Sequence, residues 1–443
     1  MTPNITEILD GWKVEGIRWV RFEAPDLHGA SRSKLVPIEQ AYGYATGGLN
    51  VYGGALVLDS RSDVVGGTEY HDAINYADQQ FWPDPATAAI VPWADRTARL
   101  ICSSRWYDGR VQEAASRNVL QRVLDRLAGH GYQALMGQEN EFYLLDPETR
   151  QPALFGGYHI FNTVRNEWHP VVRALIEHMP AVGIDIITAN CEYGPSQYEI
   201  NYGPKVGMAA ADATFTFKNA VKEIAQRHGM LATFMSKPSS SMAGNGAHTH
   251  VSLLDDTGTN VFANARTATG ISSIAERFIA GCLAYAAPAY AICAPTVNCL
   301  KRRRPHTFSP SNISWGIEDR SALVRVKLGS IESRHIEYRS PSGLSNPYLV
   351  MAVVLASGLL GIEQKLKCPK PSTAGIPAED DSRFAPLPWH LHESLDALEA
   401  GSELREVLGE EFVRIYLTVK RHELRRFEDH VTDWEVGEYA ELY

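Results

Sequence analysis

Ionisable side chains two residues apart recur inside apolar, β-like runs of this chain. They are Glu139 and Glu141 in ALMGQENEFYLL, His248 and His250 in HTHVSLL, and Glu337 and Arg339 in IEYRS. Glu199 follows Gln197 in the same way in SQYEINYG. In an extended strand residues i and i+2 point to one face, so each run aims two polar groups at a common side. One E-x-E alone reads as a solvated face, and a lone histidine as structural. The assembly changes the reading: Glu139, Glu141, Glu192, Glu199, Glu337 and His248 each stand beside Gly, Asn or apolar residues. Glutamate is seldom buried unless it is paired or holds a metal. Oxygen-rich ligation with one imidazole suits hard or borderline divalent ions such as Mg²⁺ or Mn²⁺, which in turn bind phosphates. Zinc would want thiolate or more histidine. The chain has no Walker A motif and no G-x-G-x-x-G, so a nucleotide would be held through metal and arginine.

The second chemical feature is cationic. Arg302, Arg303 and Arg304 follow Lys301, and Arg320, Arg325, Arg334 and Arg339 come after them. The KRRR run leaves Arg303 and Arg304 open between a solvated surface and a clamp. Arginines spread over separate β-like runs fit a clamp for carboxylate and phosphoryl oxygens. Metals plus arginines around a transferring phosphoryl group is the usual way of stabilising that transition state.

The elements that must position these groups can be read along the chain. Residues 17–102 hold short β-like runs (IRWVRFEA, ALVLDS, TARLICSS) among Gly, Pro and Asp turns. Val119, Leu120, Val123, Leu124 and Leu127 recur at helical spacing between Ala115 and Gly129. Helical and β-like runs then alternate, with a long helix expected from about Ala209 to His228. Beyond Leu344 the pattern is helical, interrupted by a Pro-rich stretch from Pro369 to Pro388. The stretch from Phe278 to Cys293 reads as a buried helix broken by Pro288. The expected class is α+β, with a small β-rich domain at residues 1–110 and a large domain at 111–443.

Composition bounds the function classes. The 443 residues are 44% hydrophobic and 21% charged, with a formal net charge of −10. That acidity argues against nucleic-acid and anionic-membrane partners. No secretory signal opens the chain, and no apolar run reaches the ~20 residues of a membrane span. Six scattered cysteines without a C-x-x-C pair read as reduced thiols, and the expected location is cytoplasmic.

With these residues in place the chain resembles the glutamine synthetase family from about residue 17 onward. The matching pieces, in order, include F-x-x-x-D-x-x-G at Phe22 to Gly29, PDPATAAIVPW, GQENEFYLLD, GGYH, EYGPSQYEIN, GAHTHVSL, PTVNCLKR, WGIEDRSALVRV, IEYRSPSG, NPYL and VTDWE. The resemblance implies a β-grasp N-terminal domain and a catalytic domain forming a half-open barrel of antiparallel strands with helices. It also implies homo-oligomeric rings, usually two stacked, with active sites between neighbouring subunits. The implied reaction is ATP-dependent: glutamate is activated as γ-glutamyl phosphate, which an amine then attacks.

The resemblance implies roles for individual residues. Glu141, Glu192 and Glu199 would hold a first metal ion and Glu139, His248 and Glu337 a second. His250, Ser252, Arg325 and His335 would contact ATP. Glutamate would be bound by Glu141, Gly244, His248, Arg302, Arg320 and Arg339. Arg302, Arg320 and Arg325 would be catalytic, the last two on the transferred phosphoryl group. Tyr52, Tyr158, Glu192 and Phe308 would line the amine pocket.

Four departures bear on substrate. Glutamine synthetases proper carry a glutamate six residues past the flap arginine; this chain has Phe308 there, and Tyr52 stands where an ammonium-binding aspartate belongs. Ammonium must be desolvated and lose a proton, which calls for nearby anions. Two aromatic residues instead favour an amine with an apolar substituent, and above all an aromatic amine, which is already neutral. A γ-glutamyl-amide ligase of the methylamide, isopropylamide or anilide type is therefore the expected branch. Ala243 replaces an expected asparagine before Gly244, and His335 an expected arginine. The competing readings are a glutamine synthetase using ammonia, a non-catalytic ring-forming relative, and a carboxylate kinase without an amine acceptor.

Overall fold

The computed structural model describes residues 4–157, 159–166 and 169–443. Asn4 caps helix α1 (Ile5–Val14) by accepting from the Thr6 N–H. Strands β1 (Trp19–Pro25) and β2 (Ser31–Pro37), helix α2 (Ile38–Gly47), and strands β3 (Leu49–Tyr52), β4 (Asp78–Pro83), β5 (Ala89–Ile90) and β6 (Thr97–Trp106) follow. They form one sheet in the order β2-β1-β6-β4-β3, with β5 against β6. β1 and β6 run parallel at its centre and the other pairs are antiparallel. Val20, Phe22 and Ala24 alternate along β1 into a core shared with Leu9, Ile38, Phe81 and Leu100.

ALVLDS, expected as β-like, is not a strand. Gly53–Leu56 is a 3-10 turn, and Asp59 closes the loop beyond it by accepting from the N–H groups of Arg61 and Asp63. Close packing sets this conformation, because a Cβ on Gly53 would overlap the Ala77 carbonyl oxygen.

Helix α3 (Ser116–Gly129) buries Val119, Leu120, Val123 and Leu127 along one stripe, as its spacing requires. The long strand β7 (Gln133–Leu145) comes next. Then follow α4 (Thr163–Asn166), α5 (Pro170–His178), β8 (Ile186–Cys191), β9 (Gln197–Tyr202), β10 (Lys205–Val206), α6 (Met208–Arg227), β11 (Leu231–Thr233) and β12 (Ala247–Leu254). Helices α7 (Ser273–Ala284), α8 (Ala286–Cys293) and α9 (Val297–Arg302) lead to β13 (Trp315–Ile317), β14 (Val324–Lys327) and β15 (His335–Tyr338). The chain ends in α10 (Pro347–Glu363), α11 (Leu391–Ala400), α12 (Ser402–Leu408), α13 (Glu410–Glu428) and α14 (Asp433–Tyr439). The boundary expected at residue 110 falls between the end of β6 and the start of α3.

The second sheet runs β13-β14-β15-β12-β7-β9-β8, with β10 and β11 against the ends of β7. Its pairs are antiparallel except β13 with β14. Helix α10 is apolar on all sides and buried from Pro347 to Gly361, as such a helix must be. It crosses α7 at two glycines; a Cβ on Gly281 would overlap the Ser357 carbonyl oxygen, and one on Gly361 that of Arg277. Pro288 breaks the Phe278–Cys293 run three residues upstream of itself, at Tyr285, so two helices form. Its ring would collide with the carbonyl four residues back in a continuous helix. Among the described residues no helix is long and apolar enough to cross a membrane.

The two sheets are tied by a buried ionic network. Arg117 on α3 donates to both carboxylate oxygens of Asp212 on α6 (3.0 and 2.9 Å), to Asp84 (2.6 Å) and to Ser103 (2.8 Å). The Tyr348 hydroxyl donates to Asp212 at 2.6 Å. Removing one partner of a buried pair strands the other charge, at about 3–5 kcal/mol. Asp212→Ala should therefore lower the denaturation midpoint by an amount of that order, with Asp212→Asn losing less. An unchanged midpoint would mean that the network does not hold the sheets together.

Candidate active site

Strand register brings the chemical residues onto one face of the second sheet. β12 sets His248 opposite Glu139, β15 sets Glu337 opposite His250, β14 sets Arg325 opposite Glu337, and β9 sets Glu199 opposite Glu141. Along β7 the even residues Gln138, Asn140 and Phe142 are buried on the other side, while Glu139 and Glu141 are partly accessible. The two-residue spacing does here what strand geometry requires.

The carboxylates fall into two electrostatic groups. Burial opposes ionisation of Glu139, but His250 and hydrogen bonds from His248 and His250 outweigh it and hold the acid well below its ordinary range. Burial likewise opposes ionisation of Glu337, yet His248 and Arg339 bring it down to about 2. Arg325 donates to Glu337 at 3.1 Å and to Glu318 at 2.7 Å, and Arg339 binds the other Glu337 oxygen. Glu192 and Glu199 lack such partners. Burial, then repulsion from Glu141, pushes Glu192 up to about 7. Burial, then repulsion from Glu139, Glu141 and Glu192, pushes Glu199 up to about 9.

A divalent ion fits these residues. Ligand atoms of Glu139, His250 and Glu337 lie within 4.8 Å of one another. His248 Nδ1 is 3.6 Å from Glu139 and 3.4 Å from Glu337. His248 Nε2 is buried without a hydrogen-bond partner, and His250 Nε2 lies 3.1 Å from Glu139 Oε1. Glu141, Glu192 and Glu199 offer a second, all-oxygen set, with Asn190 and Asn201 donating to Glu192 (3.0 Å) and Glu199 (2.7 Å).

A cavity of 330 Å³ opens beside Glu139 and His250 and is lined by Ser252, His335 and Lys327. It gathers three of the residues expected at ATP; Arg325 is not on its wall and instead pairs with two acids. Lys327 was missed by sequence reading, although strand alternation from Arg325 points to it. Burial lowers His335 to about 4, with His250 adding to the effect.

On the other flank Arg302 packs over Gly244, where a Cβ would collide with its side chain. Its guanidinium donates to the carbonyls of Ser340 (3.4 Å) and Pro341 (3.2 Å). Glu141 accepts from the Gly246 N–H at 2.6 Å. A second cavity, of 810 Å³, holds the exposed Arg320 together with Phe308 and Glu318. Phe308 is 56% exposed, and its carbonyl accepts from Arg339 Nη2 at 3.1 Å. Arg303, left open by the sequence, is buried and stacks between the rings of Trp389 (4.3 Å) and Tyr290 (5.3 Å). Tyr52 contacts His71 and Tyr76 of the N-terminal sheet region, with ring centroids 5.8 and 6.1 Å away. Tyr158 lies outside the described residues.

A sheet face carrying five acids, flanked by arginines and a cavity, defines a metal-dependent enzyme that handles phosphate and carboxylate groups. The glutamine synthetase catalytic-domain family matches residues 113–439, and the chain belongs to the glutamine synthetase family as an ATP-dependent carbon–nitrogen ligase. It is 31% identical to a glutamate–isopropylamine ligase of a Pseudomonas species, over 99% of this chain and 98% of that one. It is 32% identical to a glutamine synthetase of Halobacterium salinarum, over 100% and 98% respectively. A solved structure of a GmaS/ADP complex superposes over 100% of both chains with a TM-score of 0.87 at 29% identity. Amine ligases and glutamine synthetases thus stand at similar distance.

The raised carboxylates generate a prediction. Glu192 and Glu199 titrate about 7 and 9 in the folded protein against an ordinary 4.5, so the folded state holds extra protons across that window. Their contribution to stability therefore falls as pH rises from about 4.5 to 9. The metal-free melting temperature should decline over this range, and Mg²⁺ or Mn²⁺ should raise it more at about pH 8.5 than at about pH 6. Glu199→Gln should flatten the profile in scanning calorimetry. A profile unchanged by that variant would remove Glu199 as its source.

Proposed function

We propose that this ligase joins the γ-carboxylate of glutamate to a substituted alkyl or aromatic amine through γ-glutamyl phosphate, in the cytoplasm, as a ring-type homo-oligomer. The observation that carries the reading is Phe308. It is tied through its carbonyl to Arg339 and shares a cavity with Arg320, yet it places an aromatic ring where glutamine synthetases carry an acid. An ammonium ion needs that acid for desolvation and proton loss; an aryl amine needs neither.

In this reading Glu141, Glu192 and Glu199 hold one ion, and Glu139, His248 and Glu337 another. Mg²⁺ or Mn²⁺ bound there would neutralise phosphate charge. Arg302 and Arg339 orient the glutamate carboxylates with the Gly244 backbone. Arg320 and Arg325 steady the phosphoryl group while the γ-carboxylate attacks it. His250, Ser252 and His335 face ATP. Tyr52, in its cluster with Tyr76, would reach a neighbour's site across the ring and complete the amine pocket with Tyr158, Glu192 and Phe308. The similarly distant glutamine synthetases keep ammonia as the second reading.

Phosphate release from ATP with glutamate and a panel of amines decides between them. Isopropylamine, methylamine or aniline should exceed ammonium in kcat/KM, with the γ-glutamyl amide seen by mass. Phe308→Glu should move the ratio toward ammonium by about tenfold, or about 1.4 kcal/mol. Ammonium as the best substrate of the unaltered protein would make it a glutamine synthetase.

A further inference from the structure

We propose that Lys327 grips the phosphate chain of the nucleotide, one strand repeat away from the acid cluster. The proposal rests on reading the 330 Å³ cavity as the ATP site, and adds to it a residue outside the motifs of the sequence.

Sheet register places this lysine. On β14 Arg325 stands opposite Glu337 and Lys327 opposite His335, while Val326 between them is buried in the core. Residues two apart on a strand share a face and lie about 6.6–6.8 Å apart. The two cations therefore follow one line. Arg325 is at the acid cluster, and Lys327 is on the cavity wall with His250, Ser252 and His335. Directly opposed side chains start about 4.5–5.5 Å apart, so Lys327 stands beside the position where histidine replaces the arginine that the resemblance implies. The guanidinium missing from β15 is matched by an ammonium across the ladder.

This ammonium is not used up by the fold. Among the described residues Lys327 has no ion pair, because the acids beside it on the ladder are already engaged. Arg325 holds Glu337 at 3.1 Å and Glu318 at 2.7 Å, and Glu318 also accepts from the Leu328 N–H at 2.9 Å. Glu332 shares the cavity wall and makes no ion pair with it. A lysine brings three donors and a full charge to such a wall. The rest of the cavity indicates the anion. Ile187, Tyr202 and Pro204 give it an apolar flank on the side of β8 and β9, across the sheet from β14. A nucleoside polyphosphate has both characters, an aromatic base for the apolar flank and an anionic chain for the cation. Because Lys327 lies beyond Arg325, it holds ATP and ADP alike and acts on binding rather than on the transferring group.

The test is binding of ADP to the full-length protein with Mg²⁺ by calorimetry, with adenosine measured as a competitor. Lys327→Ala should weaken ADP by about 10–100-fold and leave adenosine unchanged, and Lys327→Arg should recover most of the loss. In turnover the KM for ATP should rise by a similar factor, with kcat and the KM for glutamate kept. ADP affinity unchanged in Lys327→Ala would overturn the proposal. An equal loss for adenosine would also overturn it, since the lysine would then only shape the cavity. Leu135→Trp, which fills the cavity from β7, tests the reading beneath and should abolish binding of both ligands; Ile187→Trp replaces it if circular dichroism shows misfolding. Undiminished binding in that variant would place the nucleotide elsewhere and overturn the cavity reading and the proposal together. Blocked binding there with Lys327→Ala unaffected would overturn the lysine alone.

Discussion

Five glutamates on one sheet face repel one another, and the way that repulsion is relieved organises the site. Glu337 is neutralised from within by Arg325 and Arg339, and Glu139 is held down by its contacts with His248 and His250. Glu192 and Glu199 have only neutral donors, and burial with mutual repulsion pushes both upward. In the proposed reading a divalent ion would complete this half of the cluster. Such an arrangement survives only on a scaffold that cannot relax. The buried far side of β7, the all-apolar α10 and the Arg117–Asp212–Tyr348 network supply that rigidity.

The charged groups and Phe308 sit on different parts of the fold. Strands carry Glu139, Glu141, Glu199, Glu337, His248, His250 and Arg325, where register holds them to fixed spacings, and Glu192 and Arg339 follow directly on β8 and β15. Phe308 lies in a loop, exposed and with a left-handed backbone (φ 56°). Loop side chains can change without disturbing the sheet. In the reading proposed above, the acceptor is chosen at this edge while the phosphate machinery is shared with amine ligases and glutamine synthetases alike.

The elements with strong periodicity were legible beforehand. Helix α3, the long helix α6, strand β7 and helix α10 stand where their patterns place them, because burial of one stripe, one face or a whole surface leaves a mark on residue spacing. ALVLDS misled because its apolar residues are buried in a loop shaped by Gly53 and Asp59, and burial alone does not distinguish a strand from a packed turn. Arg303 stayed open because a charge run carries no sign of the two aromatic rings, one from a segment 86 residues further on (389 − 303), that enclose it.

By itself the sequence determined that glutamates and histidines at two-residue spacing would share strand faces, since the period of a strand is a local property. It also determined that an aromatic residue stands at position 308. Which strands lie side by side was decided only in three dimensions. The pairing of His250 with His335 joins residues 85 positions apart (335 − 250), and the cavity brings Lys327 beside Glu139, 188 positions away (327 − 139), as the double arginine grip on Glu337 also depends on the fold. Their identities are written in the chain, but their spacing comes from sheet register, which is settled by how the whole core packs.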